Sequence, residues 1–193
     1  MTTTAVPRIP DFVAIDFETA NSQRSSPIQV GVTRVIGGVV YAPQVSTVMP
    51  PMGKRDFHPA NTIIHGLTPQ DIHGAPEWPE IHDRIVRFAD GLPLVAHNAS
   101  FERSVIVQTS QEHGMRPHPF DYRCTLLMAR RLDPKKDDTG PDNHKLNTLA
   151  DRYGIEQLAH HDAGDDALVG ARLAIHLLTM DGGLDAWERG RLK

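Results

Sequence analysis

The run Phe12-Val13-Ala14-Ile15-Asp16-Phe17-Glu18-Thr19 constrains this chain more than any other stretch, because a segment apolar enough to be a buried strand ends on two carboxylates. Side chains alternate along a strand, so Asp16 and Glu18 emerge on one face at its carboxyl end, while Val13, Ile15 and Phe17 line the other. Two acids side by side at the end of a core strand repel each other. A hard divalent cation relieves that repulsion, and an oxygen-rich site of this kind suits Mg²⁺ or Mn²⁺. An isolated pair of this type is more often a strand running out into water, so the reading depends on partners elsewhere in the chain.

At 193 residues and 39% hydrophobic content the chain is sized for one domain with a real core. No run approaches the roughly 18 apolar residues of a membrane span, and residues 1–10 lack the pattern of a signal peptide, so the expectation is a soluble cytoplasmic protein. The single cysteine, Cys124, has no partner for a disulfide or a zinc nucleus, and reads as a small buried thiol. A net charge of −4 argues against coating long nucleic acid by electrostatics alone. Nucleic acid remains compatible, because bound cations make an acidic site locally far less negative.

The apolar runs 28–36 and 39–48, joined by Gly37-Gly38, predict a hairpin and complete an opening three-strand meander. Residues 49–76 are dense in proline and glycine and read as a long ordered loop carrying His65-Gly66-Leu67-Thr68. A helix from about Pro76 places Ile81, Ile85 and Phe88 on its inward stripe, and a fourth strand covers 92–96. After His97-Asn98 a helical pattern puts Glu102, Val105, Ile106 and Thr109 on one stripe, so Glu102 points toward the core. Phe120–Cys124 reads as a fifth strand leading into a helix, residues 133–143 as a loop, and Leu146, Leu149, Ala150 and Tyr153 as a short helix stopped by Gly154. On the last long helix Asp166 shares a stripe with Val169, Gly170, Leu173 and Leu177, whereas Asp165 aligns with Leu168, Arg172 and His176 and is expected to face out.

This order predicts an α/β fold, a mixed five-stranded sheet flanked by helices, with the domain over 11–180 and a short C-terminal tail over 181–193. Asp16, Glu18, Glu102 and Asp166 all point at its interior or edge. Burying unpaired acids is prohibitive, so their placement argues for bound metal, and His161 stands five residues before the last of them. Carboxylates holding two metals beside a base serve in-line attack of water on a phosphodiester.

Three motifs, Asp16-Phe17-Glu18-Thr19, His97-Asn98-Ala99-Ser100-Phe101-Glu102 and His161-Asp162-Ala163-Gly164-Asp165-Asp166, give the chain its resemblance to the DnaQ-like DEDDh family of 3′-to-5′ exonucleases. His65-Gly66-Leu67-Thr68 is similar to a segment of the polymerase III epsilon-like members. The resemblance implies a ribonuclease H-like fold and release of nucleoside 5′-monophosphates from single-stranded DNA or RNA 3′ ends with two Mg²⁺ or Mn²⁺ ions. It further implies that Asp16 bridges both ions, that Glu18 and Asp166 complete the first, and that Glu102 serves the second. His161 then acts as general base, with His160 its competitor one residue earlier. Thr19 would hold the 3′-hydroxyl, while Asn98, Phe101 and His65 would contact the last nucleotide. The chain departs from the family at Glu102, where the usual residue is Asp.

That departure raises an alternative, a catalytically weakened nucleic-acid-binding module of the same fold. A phosphatase with Asp16 as nucleophile would begin D-x-D-x-T, which Glu18 and Ala20 do not match. A small structural metal protein leaves His161 and the His97-Asn98 pair unexplained. The brief tail favours a free-standing enzyme or a small subunit, with no polymerase or homo-oligomer partner named by any motif.

Overall fold

In the computed structural model, which describes residues 9–135, 139–158 and 161–192, the sheet is built around β1, Phe12–Thr19. β1 is buried on both sides. Val13, Ile15 and Phe17 join one apolar cluster and Phe12 and Ala14 another, so the strand separates two cores. It pairs antiparallel with β2, Pro27–Ile36, and parallel with β5, Leu94–Ala96, which in turn pairs parallel with β6, Tyr122–Cys124. β3, Val39–Val40, and β4, Gln44–Thr47, both pair antiparallel with β2.

The expected third strand is therefore two pieces and the sheet has six strands, in the path β3-β2-β1-β5-β6 with β4 beside β2. Tyr41, Ala42 and Pro43 interrupt it. Pro43 has no N–H to give the ladder, although the Tyr41 amide still reaches the Arg34 carbonyl at 2.9 Å. The mixed α/β sheet with flanking helices is otherwise as expected, including the Gly37-Gly38 hairpin, whose two residues have φ of 56° and 80°.

Two further stretches differ from the expectation. Within the supposed loop 49–76 lies a helix, α1, Pro59–His65, started by Pro59 after the His58 cap and stopped by Gly66 at φ 73°. The proline and glycine that suggested a loop are the punctuation of this helix. The supposed tail carries α7, Gly183–Arg189, whose Trp187 is buried against Phe12 with ring centroids 5.6 Å apart. The described part of that segment thus belongs to the core.

On one face of the sheet pack α2, Trp78–Ala89, and α3, Ser100–Glu112, around Trp78, Ile81, Val105 and Ile106. On the other lie α4, Thr125–Leu132, α5, Leu146–Tyr153, and the long α6, Ala163–Thr179, around Met128, Leu149, Leu173 and Leu177.

One glycine decides how closely α6 meets the sheet. Gly31 is opposite Asp16 in the β1–β2 register, and a Cβ there would fall 2.0 Å from the Ala163 carbonyl oxygen. The missing side chain lets the first turn of α6 rest on the strand pair at the level of Asp16, and Gln29 Oε1 fixes it by accepting the Ala163 amide at 2.9 Å. Gly31→Ala should therefore cost about 1–3 kcal/mol by overpacking. Gly170→Ala, with nothing within 4 Å of its added Cβ, should be neutral or stabilising by a few tenths. Urea denaturation of both variants checks this, and equal stability of the two would contradict it.

Candidate active site

The acids are delivered by three elements that end or begin at the same edge. β1 supplies Asp16 and Glu18, and its pairing with β2 shifts register between Glu18 and Thr19. Beyond β5, Asn98 turns the chain with φ 72°, a conformation Asn tolerates better than most residues, and α3 begins two residues later with Glu102 in its first turn. Glu102, Val105, Ile106 and Thr109 are buried, as their common stripe predicts. In α6, Asp162 caps the helix by accepting the Gly164 and Asp165 amides at 3.0 and 3.1 Å, which sets Asp166 in the first turn with its side chain buried.

These carboxylates are crowded out of water and against each other. Burial, then Glu102, Glu18, Asp166 and Asp162, holds the Asp16 carboxyl well above the usual carboxylate range. Glu18 is pushed up to about 8 by burial and by Asp166 and Asp162. Burial also raises Glu102 to about 8, against its own backbone hydrogen bonding and the Arg24 guanidinium. Glu102 is 2% exposed, and its Oε2 is buried without a hydrogen-bond partner. An orphaned buried oxygen beside neighbours that suppress each other's ionisation is a donor set suited to a divalent cation.

Among the described residues, Glu18, His161 and Asp166 each offer a ligand atom, all within 4.8 Å of one another. Asp16 and Glu102 lie outside that tight set. His161, at φ 67°, donates its amide to Asp166 Oδ2 at 3.2 Å, and Gln157 Nε2 donates to Asp166 Oδ1 at 2.5 Å. Asp165 does not face out as expected. It is 9% exposed and accepts the Leu158 amide at 3.0 Å, because the segment before the third motif folds back over it. His160 lies outside the described residues.

A cleft of about 480 Å³ is lined by Asp16, His161, Asp166 and His97 together with Ile64 of α1 and Lys145, Leu146 and Asn147. His97 joins the end of β5 to the segment before α5. Its Nε2 lies 2.8 Å from the His144 carbonyl, which only accepts, so Nε2 carries the proton and Nδ1 accepts from the Thr125 hydroxyl at 2.9 Å. Burial lowers its pKa to about 4, so this imidazole is neutral and structural.

Of the expected substrate contacts, Thr19 is buried, and its carbonyl accepts from Asn61 Nδ2 at 3.0 Å, tying β1 to α1. His65 ends α1 with Nδ1 accepting the Leu67 amide at 3.0 Å and Nε2 buried without a partner. Its pKa is lowered, chiefly by burial and also by His161, against a raising contribution from the Thr19 backbone, which places it beside the cluster. Asn98 is exposed, with Oδ1 accepting from the Ser100 hydroxyl at 2.9 Å. Phe101 is half-buried, and the Arg24 guanidinium sits over its ring at 4.1 Å. Arg24, Lys145 and Gln157 went unnoticed in the sequence. All three come from connecting segments without periodicity, and only the folded chain brings them to the acids.

A family model described as Exonuclease, of the RNase T type, matches residues 13–174. The chain is 28% identical over 172 residues to a PolC-type DNA polymerase III of Caldanaerobacter subterraneus subsp. tengcongensis, which covers 87% of this chain and 12% of that protein. It is also 28% identical over 181 residues to a DNA polymerase III subunit epsilon-like protein of Rhodobacter capsulatus, 86% of this chain and 23% of that protein. The chain thus spans at most about a quarter of these two relatives. Among solved structures, Exonuclease X in complex with 5′ overhanging duplex DNA superposes with TM-score 0.68 at 27% identity, covering 86% of this chain and 90% of that one. E. coli Exonuclease I with a dT13 oligonucleotide shares the fold with TM-score 0.73 at 21% identity over 92% of this chain and 43% of that one. The acids at the end of β1 and the first turns of α3 and α6 therefore stand in a domain of known lineage, and this chain belongs to the exonuclease family.

Proposed function

We propose that this chain is a metal-dependent 3′-to-5′ exonuclease that releases nucleoside 5′-monophosphates from single-stranded DNA or RNA 3′ ends. The observation that carries this reading is the crowding of Asp16, Glu18, Glu102 and Asp166, with Asp16, Asp166 and His161 lining an open cleft. Asp16, Glu18 and Asp166 would hold one Mg²⁺ or Mn²⁺, with Asp16 and Glu102 serving a second. Held there, such cations would supply activation of a water and offset the charge that develops on the phosphoryl oxygens.

The chain's own residues supply the rest. His161 takes a proton from the attacking water as its oxygen bonds to phosphorus. The bond from phosphorus to the 3′-oxygen of the penultimate nucleotide breaks, and that oxygen is protonated by solvent. The products are a nucleoside 5′-monophosphate and a strand one nucleotide shorter. Thr19 would hold the terminal 3′-hydroxyl, and His65, Asn98 and Phe101 would contact the last nucleotide. An aromatic ring that stacks on bases is tolerant of sequence, in keeping with an enzyme that removes any terminal nucleotide.

End-labelled single-stranded DNA and RNA, incubated with and without chelator, test the reading. Cleavage should stop in chelator, return with Mg²⁺ or Mn²⁺, and give mononucleotides from the 3′ end. His161→Ala should lower kcat by on the order of 10²- to 10⁴-fold. Internal cleavage, activity in EDTA, or near-normal turnover of His161→Ala would overturn it.

The acid cluster also sets a dependence on pH and metal. Glu18 and Glu102 titrate near 8 in the metal-free fold instead of at the usual 4.5, so the folded state binds more protons than the unfolded chain between those values. Stability in chelator should fall as pH rises through that window. Saturating Mn²⁺ at the alkaline end should raise Tm by about 5 °C or more. Thermal unfolding across the window checks both signs, and a metal-free Tm that rises toward pH 8 would contradict the assignment.

A further inference from the structure

The scissile phosphate has cations provided for it by the carboxylates, yet a strand entering the cleft brings further phosphates into a chain of net charge −4. Of the residues lining the cleft, His97 is neutral, and Lys145 is the permanent cation. Its side chain is exposed, and among the described residues no ion pair or side-chain hydrogen bond occupies it.

The backbone that carries Lys145 is, in contrast, firmly held. Its amide donates to Asn143 Oδ1 at 2.8 Å, and its carbonyl accepts the Leu149 amide at 3.0 Å to begin α5. One residue earlier, the His144 carbonyl accepts from His97 Nε2, and the His144 ring bonds the Asp133 carbonyl at 2.8 Å. Asp133 is itself held by Arg152 Nε at 2.6 Å and the Tyr153 hydroxyl at 2.7 Å. This network connects the floor of the cleft at His97 to the wall that carries Lys145. Lys145 is the N-cap of α5, so the start of the helix fixes its backbone while its side chain stays exposed at the cleft. A fixed backbone with a free ammonium reduces the ordering cost when an anion arrives.

We infer that Lys145 binds a non-scissile backbone phosphate of the substrate strand, next to the cleavage point. The inference rests on the exonuclease reading above. Lys145 is a substrate contact distinct from the acids, meeting the phosphate as a point charge in water.

The test compares Lys145→Met, which keeps the stem and removes the charge, with Lys145→Arg and the wild type. Two substrates are used: a single-stranded oligonucleotide, and the p-nitrophenyl ester of thymidine 5′-monophosphate, which has a phosphodiester but no neighbouring phosphate. On the oligonucleotide, Lys145→Met should raise KM by about 10-fold with kcat changed less than about threefold, consistent with loss of a charge-assisted contact. The slope of log(kcat/KM) against log salt should become shallower by about 0.7, the single-strand value for one phosphate. Lys145→Arg should restore most of both. The loss on the oligonucleotide should exceed that on the mononucleotide ester by about 10-fold or more. An unchanged salt slope, or equal losses on the two substrates, would overturn the role of Lys145 in an enzyme that is otherwise active. A wild type that cleaves neither substrate would instead overturn the exonuclease reading, and the inference with it.

Discussion

The structure depends on a repulsion. Four carboxylates from β1, α3 and α6 are brought together where burial opposes ionisation of Asp16, Glu18 and Glu102, and neighbouring acids add to that opposition at Asp16 and Glu18. Nothing in the packing of an ordinary α/β domain calls for this, because apolar side chains at the same places would be no less stable. The arrangement becomes economical only when positive charge is added from outside the chain. On the exonuclease reading proposed for this chain, the surrounding fold holds these acids together for a cation.

Several local features serve that purpose. Gly31 removes the side chain that would separate α6 from β1 at the level of Asp16, and Gln29 and Asp162 fix the start of the same helix from either side. Trp78, fully buried, fills the layer behind Phe17 and donates Nε1–H to the Ser110 hydroxyl at 2.9 Å, which ties α2 to the C-terminal part of α3. Glu102 is longer by one methylene than the Asp usual in this family. The carboxyl group is kept, its Oε2 is left unpartnered, and Arg24 provides a nearby counter-charge. The substitution thus preserves what the cluster requires electrostatically while changing where the second oxygen sits.

The central part of this arrangement was legible in the sequence because it follows from periodicity. Alternation along β1 put Asp16 and Glu18 on one face, and helical spacing put Glu102 and Asp166 on buried stripes. Periodicity fails where burial is imposed by a distant segment. Asp165 lies on a polar stripe, yet the chain around Leu158 covers it, and that return is a tertiary event with no local signal. Lys145 and Arg24 reach the site from turns whose direction is set by hydrogen bonds to other elements. α1 was hidden because proline and glycine mark both loops and the ends of helices. Trp187 was missed because a short segment after a glycine pair looks like a tail unless its hydrophobic partner, Phe12, is known to be waiting.

On the proposed metal-dependent reading, the acids are protonated in part without a cation and become ionised when one binds. Isothermal titration of Mn²⁺ into the metal-free protein near neutral pH, repeated in buffers of different ionisation enthalpy, measures this directly. With Glu18 and Glu102 titrating near 8 and Asp16 raised as well, binding must expel protons. The result predicted is a net release of about one proton or more per protein, diminishing as the pH is raised beyond that value. Binding without proton release, or no binding at all, would contradict the claim that these carboxylates are assembled to hold a cation.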